Sequence, residues 1–280
     1  MRCNFSKMHS IGNDFVIIDN VTQTVALTTQ QIRQLGHRQL GIGFDQLLLI
    51  EKPKQPKSDF SYRIFNQDGS EVEQCGNGVR CCAQFIWDNQ LSTKPILAMA
   101  HQKGITNVQK QSDGLVSANM GLPTFEPKTI PLLIDREATQ YAITINQKIY
   151  WLSILSMGNP HTILTVKNIV SAPVKKIGSA LQQHPLFPQK TNVAFMQILD
   201  RNMIKLRIFE RGVGETWSCG SGACAAVVSS IRLNQLAKKV TVHMPIGILT
   251  VEWKGNTHPV WLTGPVTTSF IGQIDIGSLL

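Results

Sequence analysis

Apolar residues in this chain fall into short runs rich in Val, Ile, Leu and Phe, bounded by polar and turn-forming positions. They predict strands at 15–18, 47–50, 62–65, 143–145, 151–155, 163–166, 205–209, 240–243 and 248–253. A period near 3.6 replaces the strand pattern in two places. After Cys75, the residues Val79, Cys82, Ala83 and Ile86 fall at i, i+3, i+4 and i+7. After Cys219, the stripe Ala223, Ala226, Val227, Ser230 and Ile231 does the same, and its small side chains predict close packing inside a sheet. Thr28 with Gln31 forms a capping box that opens a helix through about Gly36.

The pattern repeats. Arg63-Ile64-Phe65-Asn66 returns 144 positions later as Arg207-Ile208-Phe209-Glu210, and Cys75-Gly76-Asn77-Gly78-Val79 returns at the same offset as Cys219-Gly220-Ser221-Gly222-Ala223. Gly12-Asn13 is echoed by Gly158-Asn159 at an offset of 146. Three ordered matches with so long a period point to two duplicated domains rather than a solenoid. The segment after Gly264 is expected to return to the first domain.

Composition narrows the classes. A chain of 280 residues with 42% hydrophobic and 16% charged content is ordinary for a globular protein. It carries no apolar stretch near the roughly 18 residues of a membrane span, and 1–15 lacks the apolar core of a secretory signal. The expectation is a cytoplasmic protein with no membrane partner. The net charge of +9 raises nucleic acid as a partner, but the cations are dispersed and no basic helix or aromatic stripe accompanies them, so none is expected. Of six cysteines, Cys81 and Cys82 are adjacent, Cys219 and Cys224 lie five apart, and the histidines are scattered. That spacing fits neither a zinc site nor a disulfide framework, and no metal is expected.

What remains is thiol chemistry. Cys75 and Cys219 each precede a predicted helix and a glycine-rich turn, where free N–H groups and the helix dipole favour a thiolate and can hold a carboxylate. If the halves pair with pseudo-twofold symmetry, the two thiols face one another. One then takes a proton from an α-carbon while the other delivers a proton to the opposite face. Oxidation of such a pair to a disulfide would abolish activity until reduced. Cys3, Cys81, Cys82 and Cys224 read as inert buried thiols. Polar residues also interrupt apolar or turn-like stretches at Asn13, Gln46, Asn66, Asn159, Asn192 and Glu210. Glu210-Arg211 fits either an ammonium-and-carboxylate clamp or a strand-end salt bridge. His161 fits either a proton-transfer aid or a satisfied turn histidine.

Read together, these segments resemble the diaminopimelate epimerase family nearly end to end. The resemblance is carried by Met8-His9-Ser10-Ile11-Gly12-Asn13-Asp14-Phe15, Gly41-Ile42-Gly43-Phe44-Asp45-Gln46 and Phe65-Asn66-Gln67-Asp68-Gly69-Ser70 running into Gln74–Arg80. The second half adds Gly158-Asn159-Pro160-His161, Thr191-Asn192-Val193, Glu210–Thr216 and Cys219–Cys224. It implies an α/β (α+β) fold of two pseudo-symmetric domains, each a mainly antiparallel barrel-like sheet around a central helix. These are 1–118 plus 265–280, and 119–264. It also implies cofactor-independent interconversion of LL- and meso-diaminopimelate, toward lysine and peptidoglycan precursors, by a homodimer that uses no pyridoxal phosphate. It places catalysis at Cys75 and Cys219, with His161 and Glu210 supporting proton transfer. Substrate binding falls to Asn13, Gln46, Asn66, Gly76, Asn77, Asn159, Asn192, Glu210, Arg211, Gly220 and Ser221. Ser10, where glycine is common, and Trp217-Ser218 depart from the family pattern, Trp217 with a possible effect on packing of the second thiol. A proline or hydroxyproline racemase is the alternative. A Cys–His hydrolase or a binding protein leaves the second cysteine unexplained.

Overall fold

Strands rich in branched apolar residues on both faces must be covered on both faces, and each half of this chain supplies one helix for each side. The computed structural model describes residues 2–72 and 75–278. The chain divides into two units, Met1–Ala118 with Gly264–Leu280, and Asn119–Thr263.

In the first unit, β1 (Arg2–Ser10) turns into the antiparallel β2 (Asn13–Asp19). Gly12 sits in that turn at φ 84°, a left-handed conformation that glycine adopts without strain. Helix α1 (Thr29–Gly36), opened by the Thr28–Gln31 capping box, crosses over so that β3 (Gln46–Glu51) runs parallel to β2. β4 (Phe60–Asn66) is antiparallel to β3, and the short β5 (Glu71–Val72) pairs with its end. Helix α2 (Gly76–Asp88) makes the second crossover, to β6 (Ile96–His101) parallel with β4. β7 (Gly104–Lys110) and β8 (Val116–Asn119) follow as antiparallel neighbours. The C-terminal strand Thr267–Asp275 pairs antiparallel with β1.

The second unit repeats this plan. β9 (Tyr141–Ile145), β10 (Lys148–Ser156) and β11 (Pro160–Thr165) are antiparallel, with Gly158 at φ 92° in the turn before β11. Helix α3 (Val174–Gln182) crosses to β12 (Asn192–Asp200), parallel with β11. β13 (Met203–Glu210) and the short β14 (Gly214–Thr216) follow antiparallel. Helix α4 (Gly220–Arg232) leads to β15 (Lys239–Met244), parallel with β13, then β16 (Gly247–Glu252) and β17 (Trp261–Gly264). Both units therefore follow one mixed, mainly antiparallel α/β plan, and the duplication read from the sequence is a duplication of topology.

In each unit one helix is enclosed by its own sheet. α2 touches β1, β2 and β3 at one end of the strand order and β7 at the other, while α4 touches β10, β11, β12 and β16. Burial of Val79, Phe85 and Ile86 is worth about 1.5–3 kcal/mol per side chain. In α4 the buried run is Ala223, Cys224, Ala225, Ala226, Val227 and Val228, small enough for the sheet to close on it. The outer face of each sheet packs on the other helix. Ile32 and Leu35 of α1 join Val16, Ile18, Leu47 and Leu49, and Ile177 and Leu181 of α3 join Val193 and Phe195.

Every strand expected from the sequence exists, two of them ending one residue earlier, at Thr165 and Glu252. Helix α3 was not anticipated. Its buried Val174, Ile177, Gly178 and Leu181 follow helical spacing, but Pro173 at the N-cap offers no side-chain hydrogen bond. The stretches forming β1, β6, β7, β8, β12, β17 and the C-terminal strand likewise carry no strand expectation from the sequence. The repeated Arg-Ile-Phe has a structural reason. Arg63 grips Glu71 through Nε and Nη2 at 2.9 and 2.6 Å, and Arg207 grips Glu215 at 2.6 and 3.1 Å, tying β5 and β14 to their neighbours.

Candidate active site

Cys75 and Cys219 are the N-cap residues of α2 and α4, with closely matching backbone, φ −143° and ψ 115° against φ −137° and ψ 106°. Extended backbone at an N-cap turns the side chain back toward the free amides of the first helical turn. The Cys75 sulfur accepts the Gly78 N–H at 3.3 Å, an interaction that stabilises a thiolate. At Cys219 the equivalent Gly222 N–H is close enough to act on the sulfur but not aligned as a cap hydrogen bond, and the sulfur lies 3.6 Å from the Ser221 hydroxyl.

Around Cys75 the polar groups are amides. Asn13, first in β2, accepts from Asn77 Nδ2 through Oδ1 at 3.2 Å, and the Cys75 sulfur lies 3.9 Å from the same oxygen. Gln46 opens β3 directly opposite Asn66 at the end of β4, and its Nε2 donates to Asn66 Oδ1 at 3.2 Å. The Gln46 Oε1 is buried with no hydrogen-bond partner, an acceptor whose desolvation is uncompensated until a donor arrives. Gly76 lies in the same turn and gives its carbonyl to Arg80 Nε at 3.3 Å.

Around Cys219 the chemistry is ionic. Glu210 ends β13 at the position equivalent to Asn66, and its carboxylate accepts from the Thr216 hydroxyl at 2.5 Å. Burial pushes the Cys219 thiol well above the usual thiol value, the Glu210 charge pushes it further, and Ser221 and the Gly222 amide offset only part. The helix N-terminus was expected to make both cysteines ionise readily. At Cys219 dehydration and a neighbouring carboxylate outweigh it. Gly220 starts α4 beside this thiol, fully within the buried face.

The remaining residues line up along β11 and β12, where His161 pairs in register with Asn192. His161 is fully buried. Dehydration, with Arg211 adding to it, holds the ring down at about 3 and therefore neutral at physiological pH. Its Nε2 bonds Asn159 Oδ1 at 2.9 Å and its Nδ1 has no hydrogen-bond partner. Asn192 donates to the Pro160 carbonyl at 3.2 Å and accepts the Arg211 N–H at 2.9 Å, while the Arg211 guanidinium reaches the Gln189 carbonyl. Of the predicted residues of the first half, Asn13, Gly76 and Asn77 gather around Cys75 while Gln46 and Asn66 pair with one another at facing strand ends, and those of the second half lie on the strand ends and turns of their own unit. The Trp217 indole is 63% exposed and does not bury against the second thiol.

Residue-by-residue reading overlooked an ionic cluster behind Asn13. Asp45 accepts from Asn13 Nδ2 at 3.0 Å and from the Asp14 N–H at 3.1 Å. Lys7 and Arg38 bridge Asp14, and Arg38 also bridges Asp45. Burial opposes ionisation of Asp14, but Arg38 and Lys7 prevail and hold its carboxyl down at about 2, whereas burial raises Asp45. Both aspartates stood inside the quoted motifs. Their signal was a carboxylate one residue from an amide at a strand start. The other cysteines, Cys3, Cys81, Cys82 and Cys224, are free and buried.

Comparison with known proteins adds three findings. The family model described as diaminopimelate epimerase matches residues 5–126 and 153–269. A diaminopimelate epimerase from Chromobacterium violaceum is 50% identical over 276 residues, 99% of this chain and 100% of that one, and one from Nitrosomonas europaea is 48% identical with the same coverage. Among solved structures, a hydroxyproline epimerase from Agrobacterium vitis with bound trans-4-hydroxy-L-proline superposes with a TM-score of 0.68 at 14% identity, covering 98% of this chain and 92% of that one. At that identity the likeness is one of fold.

Proposed function

Because the chain belongs to the diaminopimelate epimerase family, we propose that it interconverts LL- and meso-2,6-diaminopimelate without a cofactor, with Cys75 and Cys219 as the acid–base pair. The single observation carrying this reading is that both units present a cysteine at the N-cap of their enclosed helix with matching backbone. One thiolate takes the α-proton and becomes a thiol. The other thiol gives its proton to the opposite face of the carbanion and becomes a thiolate. Exchange with solvent resets the pair, and the reverse reaction uses the same groups in exchanged roles.

The turns Gly76-Asn77 and Gly220-Ser221 hold the reacting carboxylate through helix N-terminal amides, where developing charge is stabilised most. Glu210 binds an ammonium. Its neutralisation by that cation relieves one cause of the raised Cys219, so substrate binding itself prepares the second thiol. Neutral His161 and Glu210 support the transfers. Asn13, Gln46, Asn66, Asn159, Asn192 and Arg211 recognise the rest of the substrate, and a site with so many half-buried or buried amides to pair disfavours a molecule lacking the distal amino-acid group. The first unit with its C-terminal strand and the second unit are the two epimerase domains. The protein works as a cytoplasmic homodimer. Phe270 and Ile271, 49% and 78% exposed on the C-terminal strand, are apolar surface available to such a pairing. No helix among the described residues is long and apolar enough to cross a membrane.

The test is LL-diaminopimelate in deuterated buffer with reduced protein and no added cofactor, followed by NMR. Loss of one α-proton signal with appearance of the meso isomer is expected. Inert diaminopimelate with exchange at proline or hydroxyproline would move the assignment to the racemases whose fold it shares.

A further inference from the structure

Arg80 is buried to 0% exposure in the first turns of α2, in a protein whose other cations mostly reach solvent. Its guanidinium holds the turn around it. Nη2 reaches Asn77 Oδ1 at 2.6 Å and Ser10 Oγ at 2.9 Å, and Nε reaches the Gly76 carbonyl at 3.3 Å. Asn77 Nδ2 then donates to Asn13 Oδ1 at 3.2 Å, and Asn13 Nδ2 donates to Asp45 Oδ2 at 3.0 Å. A guanidinium only donates and a carboxylate only accepts, so the two ends impose one direction on both amides between them. The result is an ordered chain, Arg80 to Asn77 to Asn13 to Asp45, with the Asn13 oxygen held toward Cys75.

We propose that Arg80 is a positioning residue for the Cys75 half of the site, fixing the orientation of Asn77 and Asn13 and the Gly76 turn around the thiol. This inference rests on the proposed role of Cys75. The second half has no equivalent. Cys224 occupies the position 144 residues after Arg80, and Ser221 replaces Asn77, so loss of Arg80 disturbs one thiol and spares the other. Arg80 also places a fixed, buried positive charge one helical turn from Cys75.

The experiment measures kcat and KM for diaminopimelate interconversion, together with the iodoacetamide modification rates of Cys75 and Cys219 resolved by peptide mass spectrometry. In folded Arg80→Met protein, kcat falls about 30-fold through lost orientation. Cys75 modification slows about tenfold at pH 8 and Cys219 stays within about twofold. Arg80→Lys keeps the charge and loses the fork, so Cys75 modification stays near the parent rate while kcat falls about fivefold. Ser10→Ala frees one side of the guanidinium and lowers kcat about threefold with KM little changed. Folded Arg80→Met with parental kcat and a parental Cys75-to-Cys219 ratio overturns the inference. If that variant does not fold, parental kcat in both Arg80→Lys and Ser10→Ala overturns it. Full turnover in Cys75→Ala would instead overturn the role of Cys75, whatever Arg80 does.

Discussion

The two units use one plan of strands and two helices each, yet they surround their equivalent cysteines with opposite chemistry. Cys75 is partly exposed, accepts an amide N–H and is ringed by neutral amides anchored to Arg80 and Asp45. Cys219 is 7% exposed, has its Gly222 amide out of line for a cap bond and lies beside Glu210, which stands where the first unit has Asn66. Duplication supplies the geometry twice, and a few substitutions at strand ends decide which proton state each copy prefers. The backbone of a half-site and its electrostatics are separable, and only the first was repeated.

The largest test of the comparison is removal of each sulfur. Cys75→Ala and Cys219→Ala should each lower epimerisation by roughly a thousandfold or more, measured by isomer-resolved chromatography. A variant that keeps more than a tenth of parental turnover makes its thiol dispensable. Next comes Glu210→Gln, which gives the second half the neutral amide chemistry of the first. Turnover should fall about a hundredfold while Cys219 reacts faster with iodoacetamide, because the carboxylate that raised it is gone. Slower or unchanged alkylation would place the cause of the raised thiol in burial alone.

His161 offers a third contrast, since Phe15 occupies the position 146 residues earlier. With His161 held down at about 3, the unfolded chain binds a proton between about pH 6.5 and 3 that the folded chain refuses. Stability is therefore complete above about pH 6.5 and falls toward pH 3, by at most about 1.4 kcal/mol per pH unit from this group. His161→Phe should flatten that slope in urea titrations at pH 4, 5 and 6. An unchanged slope would assign the acid sensitivity elsewhere. The smallest effects are expected at the paired glycines. A Cβ at Gly78 meets Leu48 and Cys75 at an ordinary 3.4 Å, whereas one at Gly222 comes within 2.5 Å of Ile208 Cδ1. Gly78→Ala should cost under about 1 kcal/mol and Gly222→Ala about 1–3 kcal/mol in thermal melts. Equal costs would mean that the two turns pack alike.

Much of this was legible from residue order. Strand runs such as 47–50 and 205–209, the Thr28 capping box and the repeated Cys-Gly-x-Gly turn all carry local signals that survive in the fold. Helix α3 was hidden because its N-cap is Pro173, and β1 because its polar and apolar positions serve a strand paired on both sides. Candidate site residues could be named from the sequence, but not their proton states. Nothing local to Cys219 announces that Glu210, nine positions away, shares its dehydrated surroundings. Arg80 is one more motif residue in the sequence, and only its hydrogen bonds to Gly76, Asn77 and Ser10 tie the Cys75 turn to the end of β1.

The contrast between the halves is tested most directly by alkylation kinetics of both thiols in one unmodified sample, from pH 6 to 10, resolved by peptide mass spectrometry. Cys75 is expected to react first and Cys219 to lag at every pH below 10, with diaminopimelate protecting both. Equal rates for the two, or faster reaction at Cys219, would contradict the assignment of unlike roles to like positions.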